Sequence, residues 1–471
     1  MGRRFMLLML TLASCALAAQ DAATIDEKPA GKDSISQHGI TWTFEKPRPA
    51  GRFVNGDWWV IGPVTVTKID PAFDGTKNGS TVDVIANEQG YDARGACYKK
   101  PQTISTPLTV VPGTSLISTL SLDAMGAHAE YIKSAAVLTV LDQVPPANAF
   151  RPPYAKGEKP LFRLSQVKRE KLPKLAPPPG KPNAEEYGAK YFAGPWLDQL
   201  QSIGGLYQNV KPADFVPAYS RDSAQVISTA SLLLLVDNGK EDIGPLLVGM
   251  VQQGIDYYYL TLQKNDLWRG GSGQGNGRKW PIIFAGIMLD HEGMQHVKGF
   301  FGEDDQTYYY DDPGLPETDP YGHPERGVKG WTGAEVLWAR FYDHHYDHEF
   351  LPPTKWNELG QTGNQDGCGG EGYRICCTSR AWVGQALAAR LLGAVDMWNH
   401  DPFFDYVDRW MTEAFTEEQL DLLAHTMCNS GPSDRARQLG WYRTGGSKFI
   451  NGMWKMHRGD MKPLKGRKRE K

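Results

Sequence analysis

The sequence lacks the features expected of a membrane-spanning or nucleic-acid-binding protein. Beyond its N-terminal residues, no apolar run is long enough to span a bilayer, so we expect no transmembrane helix. Basic residues are not in excess: 51 Lys and Arg against 54 Asp and Glu give a net charge of −3. This balance argues against general nucleic-acid binding. Cysteine is scarce, with 6 residues, and its spacings match no zinc-ribbon or C-x-x-C pattern.

Common catalytic signatures are also missing. Lys279 is followed by Trp280, so the glycine-rich stretch before it is not a P-loop, and it does not satisfy G-x-G-x-x-G either. On a helix, His291 and His296 would point about 140° apart, which argues against a zincin site. No G-x-S-x-G elbow and no Ser–His–Asp order occur. A nucleotide site and metalloprotease chemistry are therefore not expected.

The N-terminus predicts export of a globular protein. The chain of 471 residues, with 41% apolar and 22% charged residues, is long enough for two domains. Residues 1–19 have the pattern of a signal peptide, in which two arginines precede the apolar run Phe5–Ala13. The tetrad Leu12–Cys15 also resembles a lipoprotein processing site, which would make Cys15 a lipid anchor. Both interpretations predict a periplasmic, outer-membrane-associated or extracellular protein.

The first half of the chain carries signals of β-structure. Between residues 38 and 168, short runs rich in Val, Ile and Thr alternate with turn dipeptides such as Asn55-Gly56. This pattern predicts an antiparallel β-sandwich. Its tryptophans, Trp42, Trp58 and Trp59, are candidates for a glycan-binding face, and core packing is the alternative. Residues 169–194 are rich in proline and predict an extended strap.

Residues 195–457 show helical periodicity. Ile282–Asp290 is apolar on nearly every face and predicts a buried helix, and two capping boxes, Thr332–Glu335 and Thr416–Gln419, predict helix starts. Buried helices that alternate with amphipathic ones indicate a two-layer array, and we expect an α/α toroid in the form of an incomplete helical barrel. Residues 458–471 predict a basic, disordered tail.

The glycine-rich loop Trp268–Pro281 is the main candidate for a functional element. Its glycines permit a close approach of backbone to ligand, and it carries Gln274, Asn276, Arg278 and Lys279. The alternative is that this stretch is only a turn without a functional role. Two other polar stretches, 219–222 and 301–310, lie at predicted helix ends or in loops. The three stretches together predict a polar cleft.

Three further features leave alternatives open. His344 and His348 are one helical turn apart and could hold a structural divalent metal such as zinc, although a histidine pair without metal fits the same pattern. No cofactor is otherwise required. Arg374 is either a bidentate anion ligand or a salt-bridge partner. Cys368 is a candidate disulfide partner for one of the adjacent residues Cys376 and Cys377.

The loop Gly-Asn-Gly-Arg-Lys-Trp-Pro, together with this layout of export signal, sandwich, strap and helical array, resembles secreted bacterial polysaccharide-degrading proteins. The helical half is similar to the α/α-toroid polysaccharide lyases, a group that includes alginate, glucuronan and heparinoid lyases. The segments Gly277–Gly286, Glu303–Thr307 and Tyr373–Cys377 resemble those of uncharacterised secreted bacterial proteins. That second resemblance covers most of the chain and brings no established activity. An Asn-Asn-His-type motif of one alginate-lyase family is absent.

The resemblance implies β-elimination on an acidic, uronate-containing polysaccharide. Such a site neutralises the carboxylate, removes the neighbouring proton and protonates the leaving oxygen. The implied catalytic residues are Tyr219, Asn276, Arg278, His291, Tyr308 and Tyr309. The implied substrate-binding residues are Trp268, Gln274, Lys279, Glu303, Asp304, Gln306, Arg374 and Trp382. The alternatives are a glycoside hydrolase that uses Asp290, Glu303 or Asp304, and a non-catalytic glycan-binding protein of the cell surface.

Overall fold

The computed structural model describes residues 29–201, 210–271, 273–313, 326–339, 349–355, 371–426 and 442–459. It shows a mixed α/β protein, in which an N-terminal region with a nearly closed sheet is followed by a helical region. Within these ranges, no helix has both the length and the apolar character needed to cross a membrane. Residues 1–19 with Cys15, and also His344 and His348, lie outside the described residues.

Eight strands form the N-terminal sheet. They are β1 (Gly31–Gln37), β2 (Ile40–Arg52), β3 (Trp58–Ile61), β4 (Val64–Asp70), β5 (Ser80–Val82), β6 (Leu108–Val110), β7 (Thr114–Ser121) and β8 (Ile132–Leu141). The strand order is β5-β7-β8-β3-β2-β4-β6, and β1 pairs with β2. Most pairs are antiparallel, as the alternating pattern predicts. The pair β3–β8 is parallel, with Trp58 opposite Leu138, so the sheet is not purely antiparallel as expected.

The long strand β2 joins the two ends of this sheet. Its first half pairs with β4 and its last residues pair with β3. Alternate residues of β2, including Ile40, Trp42 and Phe44, point into an apolar core to which the other strands of the sheet also contribute. Trp42 is fully buried and its indole N–H donates to Ser118 Oγ at 2.9 Å. The sheet is therefore held together by side chains on its concave face.

The three tryptophans do not form one glycan-binding face. Trp42 and Trp59 are buried in the sheet, which confirms the core alternative for both. Trp58 is half-buried, and the Arg52 guanidinium lies 4.0 Å from the centre of its ring. A sugar ring therefore has no open indole face to stack on at this position.

A buried arginine links the sheet to the helical region. Arg151 lies between Asp57, at the start of β3, and Asp256 in the long helix that follows. All three side chains are at most 3% exposed. The main apolar core is also continuous, because it contains residues of β7 and β8 as well as most helices. The two regions therefore share one interior.

The helical region contains eleven helices in the described ranges. They are α1 (Ala184–Tyr191), α2 (Ser220–Leu233), α3 (Gly244–Gln263), α4 (Lys279–Leu289), α5 (Glu292–Gln295), α6 (Gly302–Asp305), α7 (Arg380–Leu391), α8 (Val395–Trp398), α9 (Asp401–Thr412), α10 (Glu417–Thr426) and α11 (Lys448–His457). Helices α2 and α7 pack closely together, and so do α3 and α4. Every residue of α4 is buried, which confirms the prediction of a buried helix there.

The structure corrects three local predictions. Helix α1 lies inside the stretch predicted to be an extended strap, because Asn183 caps it through the Glu186 amide at 2.9 Å. The first predicted capping box is instead a turn at Gly333, followed by strand β10 (Val336–Trp338), which pairs with β9 (Thr307–Tyr309). Arg458 is not part of a disordered tail, since it follows α11 and pairs with Asp408.

The second capping box is formed as predicted. The Gln419 amide donates to Thr416 Oγ1 at 3.1 Å, and the Thr416 amide donates to Gln419 Oε1 at 2.9 Å. Cys376 and Cys377 are free thiols, and Cys368, their candidate disulfide partner, lies outside the described residues.

Candidate functional site

The glycine-rich loop is a buried scaffold. Residues 273–280 are all buried, and the glycines allow close packing of protein against protein. Gly277 has a φ of 84°, and a Cβ there would lie 2.7 Å from Ala224 Cα in α2. A Cβ on Gly302 would lie 2.8 Å from the Gly275 carbonyl carbon. These glycines are required because backbone meets backbone, and a bound ligand is not needed to explain them.

Asn276 and Arg278 hold this scaffold together. Asn276 donates to the Cys377 carbonyl at 2.8 Å and accepts from the Trp382 indole at 3.1 Å. Arg278 is 2% exposed and donates to Asp198 Oδ2 and Ser220 Oγ, both at 2.8 Å. Their donors and acceptors are used within the protein, so neither residue is placed to neutralise a substrate carboxylate.

Lys279 and Asp304 form a second buried pair. Lys279 Nζ lies 2.5 Å from Asp304 Oδ2 and donates to the Trp398 carbonyl at 2.6 Å. Asp304 also accepts from the Trp398 indole at 2.7 Å. A lysine whose charge is matched in this way does not present a cation to an anionic chain. The pair instead fixes the start of α4 against α8.

Glu303 is the most unusual carboxyl of the scaffold. Its Oε1 accepts from the Gly277 amide at 2.5 Å and from Gln385 Nε2 at 2.7 Å. Its Oε2 is buried without a hydrogen-bond partner among the described residues. Burial raises the pKa of Glu303 to about 6, and burial likewise raises the pKa of Asp305 to about 6.

Several other predicted site residues also belong to the interior. Trp268 and Trp382 are at most 3% exposed, and the Trp268 indole donates to the Asp198 carbonyl at 3.0 Å. Gln306 is fully buried. Arg374 makes two hydrogen bonds to Glu371, at 2.8 and 2.9 Å, which confirms the salt-bridge alternative. None of these four side chains is available to a sugar.

The remaining candidates lie away from the loop. His291 follows α4, while the loop precedes it, so about 16 Å of helix separates them. The His291 ring caps α5, accepting from the Met294 amide at 3.1 Å. Tyr308 packs against Phe350, and the Tyr309 hydroxyl donates to Asp405 at 2.6 Å. We therefore remove His291, Tyr308 and Tyr309 from the loop site.

One edge of the scaffold contains Tyr219, Arg221, Tyr373, Cys376 and Cys377, of which Cys376 is exposed and Tyr219 is buried. The Tyr219 hydroxyl is hydrogen-bonded to the side chains of Cys377 and Tyr373. A Cβ on Gly273 would lie 3.1 Å from that hydroxyl. The Arg221 guanidinium lies 5.0 Å from the centre of the Tyr219 ring and keeps 23% of its side chain exposed. We call these five residues the Tyr219 edge.

Gln274 connects the Tyr219 edge to the buried polar groups. Its Oε1 accepts from Ser220 Oγ at 3.1 Å, and Ser220 Oγ accepts from Lys211 and Arg278, each at 2.8 Å. Gln274 Nε2 is buried without a hydrogen-bond partner among the described residues. Ser220, held by two cations, thus orients the amide group, and its buried Nε2 has no hydrogen-bond partner among the described residues.

His128, a residue of the N-terminal region, also contacts the Tyr219 edge. It lies between β7 and β8, is exposed, and stacks on Tyr219 with ring centroids 5.4 Å apart and planes inclined at 17°. No sequence pattern connects these two residues, because 91 positions separate them (219 − 128). Arg221 lies in the polar stretch 219–222, so its presence at this edge could have been predicted from the sequence.

The electrostatics of this edge favour a protonated phenol. Burial, together with Cys377 and Tyr373, raises the pKa of Tyr219 well above that of a solvated tyrosine. Burial lowers the pKa of Lys211 to about 7, despite the nearby Asp198 carboxylate. Tyr219 is therefore protonated near neutral pH, and Lys211 lies next to it in the chain fold, on Ser220 Oγ.

In the part of the chain that the structure describes, no group of three or more His, Cys, Asp or Glu side chains could hold a metal ion. No protein-family model matches the chain, and neither a curated protein nor a solved structure matches it.

Proposed function

We propose that the protein is an exported polysaccharide lyase that cleaves an acidic glycan by β-elimination at the Tyr219 edge. The observation that carries the proposal is the meeting of three groups at this edge. Tyr219 offers a phenol with a raised pKa, Arg221 offers a partly exposed guanidinium that also pairs with Asp222, and Gln274 offers a buried amide N–H without a partner among the described residues. Elimination on a uronate requires groups that neutralise the carboxylate and an acid for the leaving oxygen, which these three supply, and also a base.

The chemistry assigns one role to each group. Arg221 and the Gln274 amide bind the uronate carboxylate, which stabilises the negative charge that develops there when the neighbouring carbon loses its proton. Tyr219 donates its proton to the leaving glycosidic oxygen, a role that suits a phenol held protonated by burial. His128, stacked on Tyr219, is the base that removes the proton. Of the residues that the resemblance implied, only Tyr219 and Gln274 keep a role in the proposed site.

The proposal includes a finer architecture for the two regions. We propose that the nearly closed sheet is a β-sandwich in which β2 crosses between layers, as its separate pairings with β4 and β3 suggest. We propose that the helices form an incomplete α/α toroid. The pairs α2–α7 and α3–α4 support it, since each contains closely packed and largely buried helices. In such a toroid, the Tyr219 edge borders the cleft.

The test is incubation of the purified protein with alginate, glucuronan, pectate and glycosaminoglycans. Elimination creates a conjugated uronate, so we expect ultraviolet absorbance to rise with one of these polymers. New reducing ends should appear in equal amount. Reducing ends without absorbance would contradict elimination, and retention on a glycan column with neither signal would indicate a binding protein.

Hydrolysis is the second candidate because Glu303 and Asp305 both have a pKa raised to about 6. A glycosidase needs one protonated carboxyl and one carboxylate on opposite sides of the scissile bond. Here Glu303 faces Gly277 and Gln385, and Asp305 faces Gly270. Both are buried, which is why we rank hydrolysis second. Asp290 is remote from them, at the far end of α4.

A further inference from the structure

The adjacent thiols of Cys376 and Cys377 occupy different environments. They lie in a π-helical turn, Arg374–Ser379, that leads directly into α7. Cys376 is exposed, whereas Cys377 is half-buried and hydrogen-bonded to Tyr219. The wide turn directs the two side chains to different neighbours, so one thiol faces outward and the other faces the scaffold.

Cys376 lies against a cation. Arg221 Nη1 is 3.0 Å from Cys376 Sγ and 3.5 Å from the Cys376 carbonyl oxygen. The rest of the guanidinium is held by Asp222 at 2.7 and 3.1 Å, which fixes its orientation. A cation fixed beside an exposed sulfur favours the thiolate, the form that attacks electrophiles. The hydrogen bond from Cys377 and the charge of Arg221 lower the pKa of Cys376 to about 5.

We propose that Cys376 is a modification site that exchanges with low-molecular-weight disulfides. The Cys376 thiolate attacks one sulfur of the small disulfide and forms a new S–S bond with it. The original S–S bond breaks, and the other half leaves as a thiolate, so no further oxidant is needed. The product is a mixed disulfide on Cys376, and the Arg221 contact stabilises the reactive form before the attack.

The modification would also affect the Tyr219 edge. An adduct on Cys376 takes the position of the thiolate beside Arg221, and Arg221 also contacts the Tyr219 ring. This consequence rests on the proposed function. The exchange reaction itself does not, because it needs no glycan.

Cys97 provides a matched control thiol in the same chain. It is only half-buried, yet burial raises its pKa. A half-buried thiol with a raised pKa reacts slowly below that pKa, so Cys97 gives the rate of a thiol that lacks the Arg221 contact.

The experiment treats the reduced full chain with dithiodipyridine, a chromogenic disulfide, and locates the label by peptide mapping. We expect Cys376 to be labelled at least about tenfold faster than Cys97 at mildly acidic pH, where an ordinary thiol is almost entirely protonated. Labelling of Cys376 should slow by about tenfold or more in Arg221→Gln and disappear in Cys376→Ser, while labelling of Cys97 stays unchanged.

Two results would overturn the proposal: labelling of Cys376 no faster than that of Cys97, or a rate at Cys376 that falls steeply between neutral and mildly acidic pH in the native protein. The second measurement needs no variant and remains decisive if Arg221→Gln does not fold. Both assays are independent of the elimination assay, so the two proposals fail or succeed separately.

Discussion

At the scale of single residues, Glu303 gives the clearest prediction. Its pKa is raised to about 6 from an ordinary value of 4.5, so the folded protein favours the protonated acid. This preference stabilises the fold fully below about pH 4.5 and is lost as the pH rises through about 6. Glu303→Gln imitates the protonated form. As the pH rises from about 4.5 to about 7, the free energy of unfolding of the native protein should therefore fall by about 2 kcal/mol relative to that of Glu303→Gln.

Urea denaturation at a series of pH values measures that difference. Glu45→Gln is the control, because Glu45 is exposed on β2 and its substitution should leave the pH dependence unchanged. A constant difference between Glu303→Gln and the native protein across the range would show that folding does not raise the pKa of Glu303.

Single residues also show where sequence reasoning reached its limit. The polar character of the loop was correctly read, but the burial of Asn276 and Arg278 depends on partners elsewhere in the chain. Arg278 pairs with Asp198, which lies 80 positions earlier. No local pattern indicates that such a partner will be present. Removal of Arg278 would leave the buried Asp198 carboxylate with only the more distant Lys211, at 4.0 Å, as a cation, so loss of activity in Arg278→Ala would report on folding.

At the scale of elements, the close contact between α3 and α4 depends on Gly254. A Cβ at this position would lie 2.1 Å from the Pro281 carbonyl oxygen and 2.5 Å from Ala285 Cβ. Gly254→Ala must therefore push the two helices apart. We expect a loss of about 1–3 kcal/mol in the free energy of unfolding, although alanine favours helix.

Gly372→Ala is the matched control for this contact. Gly372 is also helical, and a Cβ there would meet nothing within 4 Å. The control should equal the native protein or exceed its free energy of unfolding by up to about 1 kcal/mol. Equal effects of the two substitutions in thermal unfolding would contradict the close packing of α3 on α4.

Helices were predicted well where apolar residues continue over a long stretch of the sequence. The range of α4 follows from such a stretch, and it agrees with the predicted Ile282–Asp290 within a few residues. Short signals were less reliable. The motif Thr332–Glu335 satisfies the capping pattern, but the following Val-Leu-Trp pairs with β9 as a strand, because burial against a neighbouring strand outweighs a local capping preference.

At the scale of the whole molecule, Arg151 joins the two regions. Arg151→Met leaves Asp57 and Asp256 buried beside each other with no cation between them. We expect a loss of about 3–5 kcal/mol in the free energy of unfolding. The apolar core remains shared between the regions, so calorimetry should still show a single transition at a lower temperature.

The triple variant Asp57→Asn, Arg151→Met, Asp256→Asn is the control for this prediction. It removes the whole charged group, and most of the lost stability should therefore return. A triple variant no more stable than Arg151→Met would show that the arginine acts through packing. Two separate transitions in the native protein would show instead that the regions unfold independently.

The whole-molecule arrangement also explains why the site was only partly predictable. The Tyr219 edge combines a histidine from the β7–β8 connection, the start of α2 and the turn before α7. Tyr219 and Gln274 were predicted because they lie in polar stretches near helix ends. The stacking of His128 on Tyr219 depends on the docking of the two regions, which the sequence does not reveal.

The most direct test of the central claim is the elimination rate of Tyr219→Phe on the polymer that the native protein cleaves. Tyr258→Phe is the control, since Tyr258 contacts His291 beyond the far end of α4. The loss of a general acid should lower kcat by about 10²–10⁴-fold with little change in substrate binding, while Tyr258→Phe keeps the native rate. An unchanged rate in Tyr219→Phe would contradict the assignment of catalysis to the Tyr219 edge.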